Sequence, residues 1–517
     1  MAKSKRPSLT NPIEKHFKVI TRYHCFIFFI LLSSKIPVFW HVLNLIFLSP
    51  PMDYYCNGTI ISNATKNVCP CENPVWDRSV FTETMQSKFG ILCESNWLVS
   101  FSQSIHFVGM LLGALIFGFL SDKFGRLPVF SLSCLILAIF GCLVSAMPTA
   151  ASFILMRCFE GVGAGAAIVI GYVLCIEYCS VRHREIITVL FHLPIKIGHV
   201  TLPGVSYLLR HCDEFQMTIS LPIFLYVGAQ WLLMESPKWL LDVGHIDKAV
   251  DVMETFDRFN GRKCENIRGE IESYIAGQSD GSRTRIKFWQ IFKHKKLTLN
   301  LCCMAVIYFL CGISYYGVSQ YIGNMSKNIH ANVALSGALL LPGTIVELFL
   351  LKLLPRRLFL MGTNFLSGLF MLIVICIPVH LTWFRVVIAC ICNCFFFMSF
   401  IIVFLYSVEL FPTSIRNSVL GFLSVISRIG QIVAPQVNVL SESASGIIYG
   451  VMAIFGTMVC YFLPETKNTE LPSSLNDSKS LSRKKKLDKE KNNEMTNRTT
   501  PDAIQINSRD NINESAL

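Results

Sequence analysis

The sequence contains few charged side chains for its length. Asp, Glu, Lys and Arg make up 15% of the 517 residues, whereas hydrophobic residues make up 52%. A soluble globular chain carries a charge on about a quarter of its residues, because its surface faces water. The shortage of charge excludes an ordinary soluble domain and predicts a membrane protein, in which lipid covers much of the surface.

The sequence also lacks the motifs of common catalytic and energy-coupling sites. It contains no Gly-x-x-x-x-Gly-Lys-Ser/Thr phosphate-binding loop, so a built-in ATP motor is not expected. No set of residues has the spacing of a metal site or of an activated nucleophile, and the histidines, including His41 and His106, are scattered. We therefore expect neither catalytic nor metal-binding residues, no cofactor and no enzyme activity.

Positive charge is confined to a few parts of the chain. The net charge of +12 could indicate a nucleic-acid partner, but the basic residues lie in short segments between apolar runs and in the two ends. Membrane proteins show this distribution on their cytosolic side. Residues 1–24 are therefore predicted to be cytosolic, with no nucleic acid bound. The apolar run 25–48 lacks the small-residue cleavage site of a signal peptide, so it is predicted to be a retained first span.

Residues 49–97 are polar and predict a large extracellular loop. The loop contains two N-glycosylation sequons and several cysteines, features that are typical of an oxidising, glycosylating compartment. Four cysteines allow three disulfide pairings, and all three stay open. The predicted glycosylation sites are Asn57 and Asn63, and the predicted disulfide cysteines are Cys56, Cys69, Cys71 and Cys93.

Eleven further apolar runs are long enough to cross a hydrocarbon core of about 30 Å as helices. Residues 98–234 hold five of them, and residues 297–463 hold six. The polar stretch 235–296 between them predicts a cytosolic linker with short helices, and the polar tail 464–517 predicts a disordered cytosolic end whose basic run 483–486 could contact lipid or simply be solvated. The fold class predicted is an all-α membrane protein with twelve spans. The runs are 98–120, 127–147, 152–175, 186–208, 216–234, 297–319, 333–354, 358–379, 384–407, 417–437 and 445–463.

One motif stands between the second and third spans. The segment Gly118-Phe-Leu-Ser-Asp122-Lys-Phe-Gly125-Arg126 combines two glycines with charges that hydrocarbon would not accommodate. It predicts a tight loop at the membrane surface, which we call the hinge. Its Asp122 and Arg126 are predicted gating residues.

A Glu–Arg pair recurs at the same spacing in the two halves. Glu177 is followed seven positions later by Arg184, and Glu409 is followed seven positions later by Arg416. The recurrence predicts two six-helix repeats, one of the architectures of secondary transporters. These four residues could contact each other or helix ends in one conformation only, so they are predicted to form a gating latch. The alternative is that they are surface charges, which would explain the arginines but not the glutamates.

Five stretches together resemble a known family. They are Gly118–Arg126, Glu177–Arg184, Glu235–Leu240, Tyr406–Asn417 and Leu463–Lys467. They are similar to the organic cation/anion/carnitine transporter family of the major facilitator superfamily, over about residues 15–470. The resemblance implies two six-helix halves that rock about a central cavity, alternating access, and uniport or exchange of small organic ions at the plasma membrane. The otherwise similar sugar porters remain the alternative family.

Basic residues within the spans suggest the charge of the cargo. Arg428, Lys196 and Lys35 lie inside apolar runs, where an ionisable residue is costly and is a functional candidate by default. A cavity of this sign favours a carboxylate or sulfate. The resemblance agrees, since the position of Arg428 is similar to an arginine of the anion and carnitine branches. The alternative is that Lys35 and Lys196 snorkel or pair internally with Glu160 or Glu347.

The resemblance also implies aromatic substrate contacts. Tyr315 and Tyr316 in the seventh span, Phe400 and Phe404 in the tenth, and Tyr172 in the fourth match positions of the family that contact substrate. Phe400 and Phe404 are one helical turn apart and share a face, as a stacking wall for a flat ion requires. Ordinary helix packing is the alternative explanation for the same spacing.

The chain departs from the family pattern around the eighth span. The stretch between Glu347 and Arg356 is several residues shorter than expected, and Arg356-Arg357 is all that remains of a second hinge. These departures predict a short eighth span. The function predicted is transport of organic anions or carnitine-like zwitterions, with a small organic ion and membrane lipid as partners. The alternatives are an organic cation carrier, a sugar porter, and a sensor that no longer transports.

Overall fold

The computed structural model describes residues 12–50, 52–56, 59–61, 75–91, 95–180, 183–262, 267–278, 288–326 and 328–467. Most of the residues predicted for glycosylation and disulfides lie outside these ranges, namely Asn57, Asn63, Cys69, Cys71 and Cys93. Cys56 belongs to a described strand, but its side chain is not described. Both sets remain predictions.

The described chain is mostly helical. A small antiparallel sheet, in the order β2-β1-β3, lies in the predicted extracellular loop and consists of β1 Tyr54–Cys56, β2 Thr59–Ile61 and β3 Val75–Trp76. The helices are α1 Pro12–His16, α2 Arg22–Leu43, α3 Leu45–Leu48, α4 Met85–Phe89, α5 Trp97–Phe124, α6 Arg126–Ser145, α7 Ala150–Glu177, α8 Arg184–Leu208, α9 Cys212–Ser220, α10 Phe224–Val227, α11 Ala229–Leu232, α12 Pro237–Val243, α13 Ile246–Phe259, α14 Ile267–Gln278, α15 Lys295–Gly323, α16 Ile329–Leu353, α17 Arg356–Cys376, α18 Thr382–Leu410, α19 Thr413–Val437 and α20 Glu442–Cys460.

Eleven of the described helices are long and apolar enough to cross a membrane, and a bent pair could be a twelfth. The bent pair joins Cys212–Leu232 to Pro237–Val243 at an angle of 59°. The run predicted at 216–234 is itself interrupted, because α9 is followed by a 3-10 turn at Leu221–Ile223 and by the short helices α10 and α11. Pro222 lies in a 3-10 turn there, because proline lacks the amide hydrogen that an α-helix needs.

The expectation of a short eighth span is wrong. Helix α16 has 25 residues and begins at Ile329, ahead of the apolar run predicted from 333. At about 1.5 Å per residue it is about 37 Å long, which exceeds a hydrocarbon core of about 30 Å. Pro342 lies inside the helix without ending it.

The hinge is tighter than its sequence suggested. Helix α5 continues to Phe124, and only Gly125 separates it from α6. Gly125 has a φ of 108°, and a Cβ atom there would lie 2.6 Å from Glu235 Oε2, so both conformation and space require glycine. Gly118 lies within α5 with open space around it and is not part of the turn.

Small residues let helices of the first half touch through their backbones. A Cβ atom on Gly109 of α5 would lie 2.0 Å from the Cys158 carbonyl oxygen of α7. One on Gly161 of α7 would lie 2.2 Å from the His106 carbonyl oxygen of α5. Membrane helices associate closely where such residues line the interface.

The two halves meet along two pairs of helices. Helix α8 packs on α16, and α5 packs on α19. A Cβ atom on Gly337 of α16 would lie 2.8 Å from the Val200 amide nitrogen of α8. We call the end of the bundle that contains residues 121–126 the hinge end, and the end that contains residues 75–91 the long-loop end.

Candidate functional site

The halves are in contact at the long-loop end. The Ser104 hydroxyl of α5 donates to the Ile432 carbonyl of α19 at 2.7 Å, and the Gln436 amide donates to the Ser104 oxygen at 3.1 Å. The Ser206 hydroxyl and the His330 ring, on α8 and α16, lie 3.2 Å apart. The bundle is therefore closed at this end in the conformation described.

Five aromatic residues of the second half form a cluster near the middle of the bundle. We define the aromatic cluster as Tyr315, Tyr316, Phe397, Phe400 and Phe404, from α15 and α18. The Tyr315 ring centroid lies 4.9 Å from that of Phe397 and 5.9 Å from that of Phe400. The Phe400 and Phe404 rings are 5.5 Å apart. Tyr315, Phe397 and Phe400 are buried, whereas Tyr316 and Phe404 are partly exposed.

The first half contributes the facing wall of this cluster. The His192 ring of α8 lies 6.3 Å from Phe397 and 6.4 Å from Phe400. The Phe107 ring of α5 lies 5.5 Å from Tyr316. The cluster therefore spans the interface at which the halves would have to separate in alternating access.

Lys196 joins the two halves beside the aromatic cluster. Its ammonium lies 4.6 Å from the Phe397 ring centroid and donates a hydrogen bond to the Thr344 hydroxyl of α16. The Glu347 carboxyl lies one helical turn beyond Thr344, and its charge interacts with that of Lys196. Both charged side chains are fully buried. Of the two acids that the sequence suggested as partners for Lys196, Glu347 is the one that interacts with it electrostatically, without a direct ion pair.

Lys35 is held differently. Its ammonium donates to the Phe191 carbonyl at 2.9 Å and lies 3.3 Å from the centroid of the Phe191 ring. The Tyr172 ring packs on the same phenyl ring at 5.1 Å. Neither Glu160 nor Glu347 pairs with Lys35 in the described residues. Lys35 is therefore a buried cation stabilised by a carbonyl dipole and a ring face.

Arg428 belongs to α19 and lies next to the aromatic cluster. The backbones of α15 and α19 touch there, since a Cβ atom on Gly312 would lie 2.2 Å from the Ser427 carbonyl oxygen. The half-buried Arg428 guanidinium interacts electrostatically with Tyr316. Within the described part of the chain it makes no ion pair or hydrogen bond. Its donors are available to a ligand.

Sequence reasoning missed three residues of this site. Phe397 lies three positions before Phe400 and His192 four positions before Lys196, so helical spacing would have placed each on a predicted face. Thr344 had no such signal, because its role depends on the approach of α8 to α16.

At the hinge end of the first half, Arg126 organises three elements. Its Nε lies 3.2 Å from Glu177 Oε1, its Nη1 donates to the Ser121 hydroxyl at 2.9 Å, and it forms an ion pair with Asp122. Glu235, which follows the sixth span, accepts a hydrogen bond from the Leu127 backbone amide at 3.1 Å. The ends of α5, α6 and α7 are thereby tied together.

The second half repeats this arrangement. Arg356 Nε lies 3.2 Å from Glu409 Oε1, and its Nη1 donates to the Leu351 carbonyl at 2.7 Å. Glu465 accepts the backbone amides of Arg356 and Arg357 at 2.8 and 3.1 Å. The second hinge lacks the sequence pattern of the first but keeps its geometry.

In this conformation, in which the long-loop end is closed, the glutamates of the predicted latch pair with other arginines, and the latch remains a prediction. Glu177 pairs with Arg126, and Glu409 pairs with Arg356. Each of these arginines is the first residue of a neighbouring helix and lies directly opposite the carboxylate. Arg416 instead donates to the Phe411 carbonyl at 3.3 Å. Burial first, and the charge of Arg184 second, lower the pKa of the Arg416 guanidinium. The ion pairs of Glu177 and Glu409 therefore each lie within one half.

A buried polar network lies inside the first half, and its extent was not anticipated. The Arg157 guanidinium donates to Glu160 at 3.0 Å and to the Asn44 side chain at 2.7 Å. The Gln216 amide donates to Glu160 at 3.1 Å, and His41 hydrogen-bonds to the same carboxylate. The network holds α7 against α2 and α9. It also engages the Glu160 carboxylate, which the sequence had suggested as a partner of Lys35.

One group of potential metal ligands occurs in the described residues, at the long-loop end. Ligand atoms of Glu83, His211, Cys212 and Asp213 lie within 4.8 Å of one another. The Lys88 ammonium lies 2.6 Å from Asp213 Oδ2 and already balances that carboxylate. The residues are too far apart in sequence for spacing to reveal them, and we infer no metal there.

Comparison with protein families places these features in context. A family model described as "Sugar (and other) transporter" matches residues 54–474. Solute carrier family 22 member 11 from Homo sapiens is 31% identical over 431 residues, which cover 82% of this chain and 78% of that protein. Organic anion transporter 3 from Oryctolagus cuniculus is 29% identical over 462 residues, covering 88% of this chain and 84% of that protein.

A third relative is named for cations rather than anions. The organic cation transporter protein of Drosophila melanogaster is 29% identical over 441 residues, covering 83% of this chain and 80% of that protein. Among solved structures, the partially occluded inward open xylose transporter XylE from E. coli matches with a TM-score of 0.64 at 15% identity. The match covers 87% of this chain and 100% of that one. At this identity the match shows a shared fold.

Proposed function

Because this chain belongs to the organic cation/anion/carnitine transporter family of the major facilitator superfamily, we propose that it carries small organic anions, or carnitine-like zwitterions, across the plasma membrane. It has the major facilitator fold and is a multi-pass membrane transporter of organic ions, not an enzyme. The relatives include proteins named for anions and for cations, so the sign of the cargo has to be argued from the site.

The charge around the aromatic cluster supports an anion. Arg428, Lys196 and Lys35 are basic, and Glu347 is the one acid whose charge acts on any of them in the described residues. A low-dielectric site with an excess of positive charge attracts a carboxylate or sulfate and repels an ammonium ion. The unpaired guanidinium of Arg428 is the single observation that carries the proposal.

The aromatic cluster suits the rest of such a cargo. Tyr315, Tyr316, Phe400 and Phe404 present ring faces and edges that a flat organic group can stack against. Tyr172 reaches the same region through its contact with Phe191. A flat anion would place its ring among these residues and its charge toward Arg428 or Lys196.

Alternating access would proceed by movement of the halves about this site. The long-loop end is closed by the Ser104 and Ser206 contacts, and these would open to admit substrate from that side. We propose that the hinge end and both termini are cytosolic and that residues 49–97 are extracellular. In that orientation the described conformation is closed to the outside.

The hinge-end ion pairs would serve as gating elements within each half. Asp122, Arg126 and Glu177 keep three helix ends together as the first half moves, and Glu409 does the same in the second half. A rigid end transmits rotation of a half to the site between the halves.

Uptake measurements test the sign of the cargo. Cells that display the protein at their surface would be given labelled phenyl sulfate, carnitine, tetraethylammonium and xylose in parallel. We expect the wild-type protein to take up phenyl sulfate or carnitine. In Arg428→Ala this uptake should fall at least about tenfold, since the charge-assisted contact is lost. Arg268→Ala, which removes an exposed linker arginine, is the matched control.

Each other outcome identifies a different alternative. Uptake of tetraethylammonium alone would reverse the sign of the cargo, and uptake of xylose alone would make the chain a sugar porter. A surface-resident protein that moves none of these probes would favour the sensor. Equal loss of every substrate in Arg428→Ala, together with reduced surface display, would make Arg428 structural.

A further inference from the structure

We propose that Glu347 is a proton-binding site and that a proton there frees the Lys196 ammonium to bind the anion, so that one proton travels with each anion. The anion part of this inference rests on the proposed function. The proton site stands on geometry of its own.

The two groups are placed on opposite sides of the interface between halves. Lys196 belongs to α8 of the first half, and Glu347 belongs to α16 of the second. The Lys196 ammonium reaches α16 but binds the Thr344 hydroxyl, one turn short of the carboxyl. The distance between the two charges is therefore set by how the halves are docked, and it changes when they move.

The surroundings of the Glu347 carboxyl do little to stabilise its ionised form. It is fully buried, and neither of its oxygens has a hydrogen-bond partner in the described residues. Moving a carboxylate out of water without hydrogen bonds is far more costly than moving the neutral acid. In this docked conformation the carboxyl is therefore held in its protonated form unless Lys196 approaches it directly.

Few titratable groups surround the site. Lys196 faces Glu347 from α8, and Cys394 faces both from α18, where its thiol lies against Gly343 of α16. The His192 ring, one turn before Lys196 in α8, interacts electrostatically with Lys196. No second carboxylate acts on either group in the described part of the chain. Glu347 is therefore the one carboxyl in the described residues whose protonation changes the charge that faces Lys196.

The charge of the pair decides what Lys196 can bind. With Glu347 ionised, the two charges cancel and the ammonium is directed at the carboxylate. With Glu347 protonated, the carboxyl no longer neutralises the ammonium, which lies 4.6 Å from the Phe397 ring at the edge of the aromatic cluster, and an arriving anion can replace the carboxylate as its counter-ion. Proton binding then strengthens anion binding, and by reciprocity anion binding strengthens proton binding.

The coupling requires no further reactant. Water at one face supplies the proton to the Glu347 carboxylate, and the proton returns to water at the other face when the halves have moved. A monovalent anion and one proton cross together without net charge.

Infrared spectroscopy of the purified full-length protein tests the proton site without any substrate. Wild type should show the C=O stretching band of a protonated carboxyl that titrates with pH and is missing in Glu347→Gln. The control is Glu442→Gln, at the first residue of α20, where the carboxylate is ion-paired with Arg385. This substitution should leave that band in place. A wild-type spectrum that contains no band lost in Glu347→Gln between about pH 5 and 8 would overturn the proposal.

Uptake into proteoliposomes tests the coupling. Phenyl sulfate is the probe, because its own charge does not change over this range of pH. Lowering the outside pH from about 7.5 to about 5.5 should raise its initial rate at least about threefold in wild type, and Glu347→Gln should remove this stimulation. Stimulation that persists in Glu347→Gln would overturn the coupling.

The two measurements separate the two proposals. A Glu347 band without any phenyl sulfate uptake would count against organic-anion transport and leave the proton site in place. Uptake without the band would support anion transport and remove the proton site. Lys196→Met should abolish acid-stimulated uptake while leaving the Glu347 band, since the carboxyl then has no cation to ionise against.

Discussion

Arg126 and Arg356 make the same contacts at equivalent positions of the two halves. Each Nε lies 3.2 Å from a glutamate at or near the end of a neighbouring helix, and each Nη1 donates to the residue five positions earlier. The acceptor is the Ser121 hydroxyl in the first half and the Leu351 backbone carbonyl in the second. The second half therefore keeps the hinge contact after losing most of the hinge sequence.

Neutralising the second hinge should affect stability and rate more than selectivity. Glu409 accepts from the Thr466 hydroxyl at 2.6 Å as well as from the hinge arginine, so Glu409→Gln should cost about 1–3 kcal/mol. Thermal unfolding of purified protein and initial uptake rates measure this. Asp122→Asn should cost less stability, because the Asp122 side chain is 65% exposed. A changed order of substrate preference with intact rates would count against the gating role.

Two glycines offer a matched test of helix contact. Gly161→Ala places a methyl group 2.2 Å from the His106 carbonyl oxygen and should force α7 away from α5, at a cost of about 1–3 kcal/mol or more. Gly362→Ala meets nothing within 4 Å and should be neutral or stabilise by up to about 1 kcal/mol, through better helix propensity. Melting temperatures of the two variants in one detergent compare them. Equal melting temperatures would mean that α5 and α7 are not in backbone contact.

The buried network of the first half should be sensitive to loss of one partner. Glu160→Gln leaves the Arg157 guanidinium buried without its counter-ion, which typically costs about 3–5 kcal/mol. Glu272→Gln removes a surface carboxylate that is 58% exposed and should change stability by less than about 1 kcal/mol. The yield of monodisperse protein and its melting temperature report the difference. A melting temperature of Glu160→Gln equal to that of the control would show that the network contributes no stability.

The aromatic cluster should determine how well a flat anion binds. Phe400→Leu removes a ring that contacts Tyr315 and Phe404, and it should raise the KM for phenyl sulfate about fivefold, since an aromatic contact contributes roughly 0.5–1.5 kcal/mol. Phe395 is on the same helix but stacks on Phe370, away from the site. Phe395→Leu should therefore leave the KM unchanged. A similar KM change in both variants would make the effect one of packing.

The sequence was informative wherever one segment carried the signal. Eleven of the twelve predicted apolar runs correspond to single long helices of the described chain, because a span must bury about 20 consecutive residues in hydrocarbon whatever its neighbours are. The shared face of Phe400 and Phe404 followed from helical periodicity, and their rings are in contact. The motifs around Gly125 and Glu409 identified the family, and the comparisons confirmed it.

Tertiary structure decided the partners of the charges. In this conformation Glu177 pairs with Arg126 and Glu409 with Arg356, since spacing along the chain does not show which helix end lies nearest. Lys196 meets Thr344 across the interface between halves, 148 positions away, and no local pattern encodes that approach. The hydrocarbon preference of each residue determined which segments cross the membrane. The close docking of those segments, set by small residues and side-chain shape, determined which buried charges are paired and which remain available to bind.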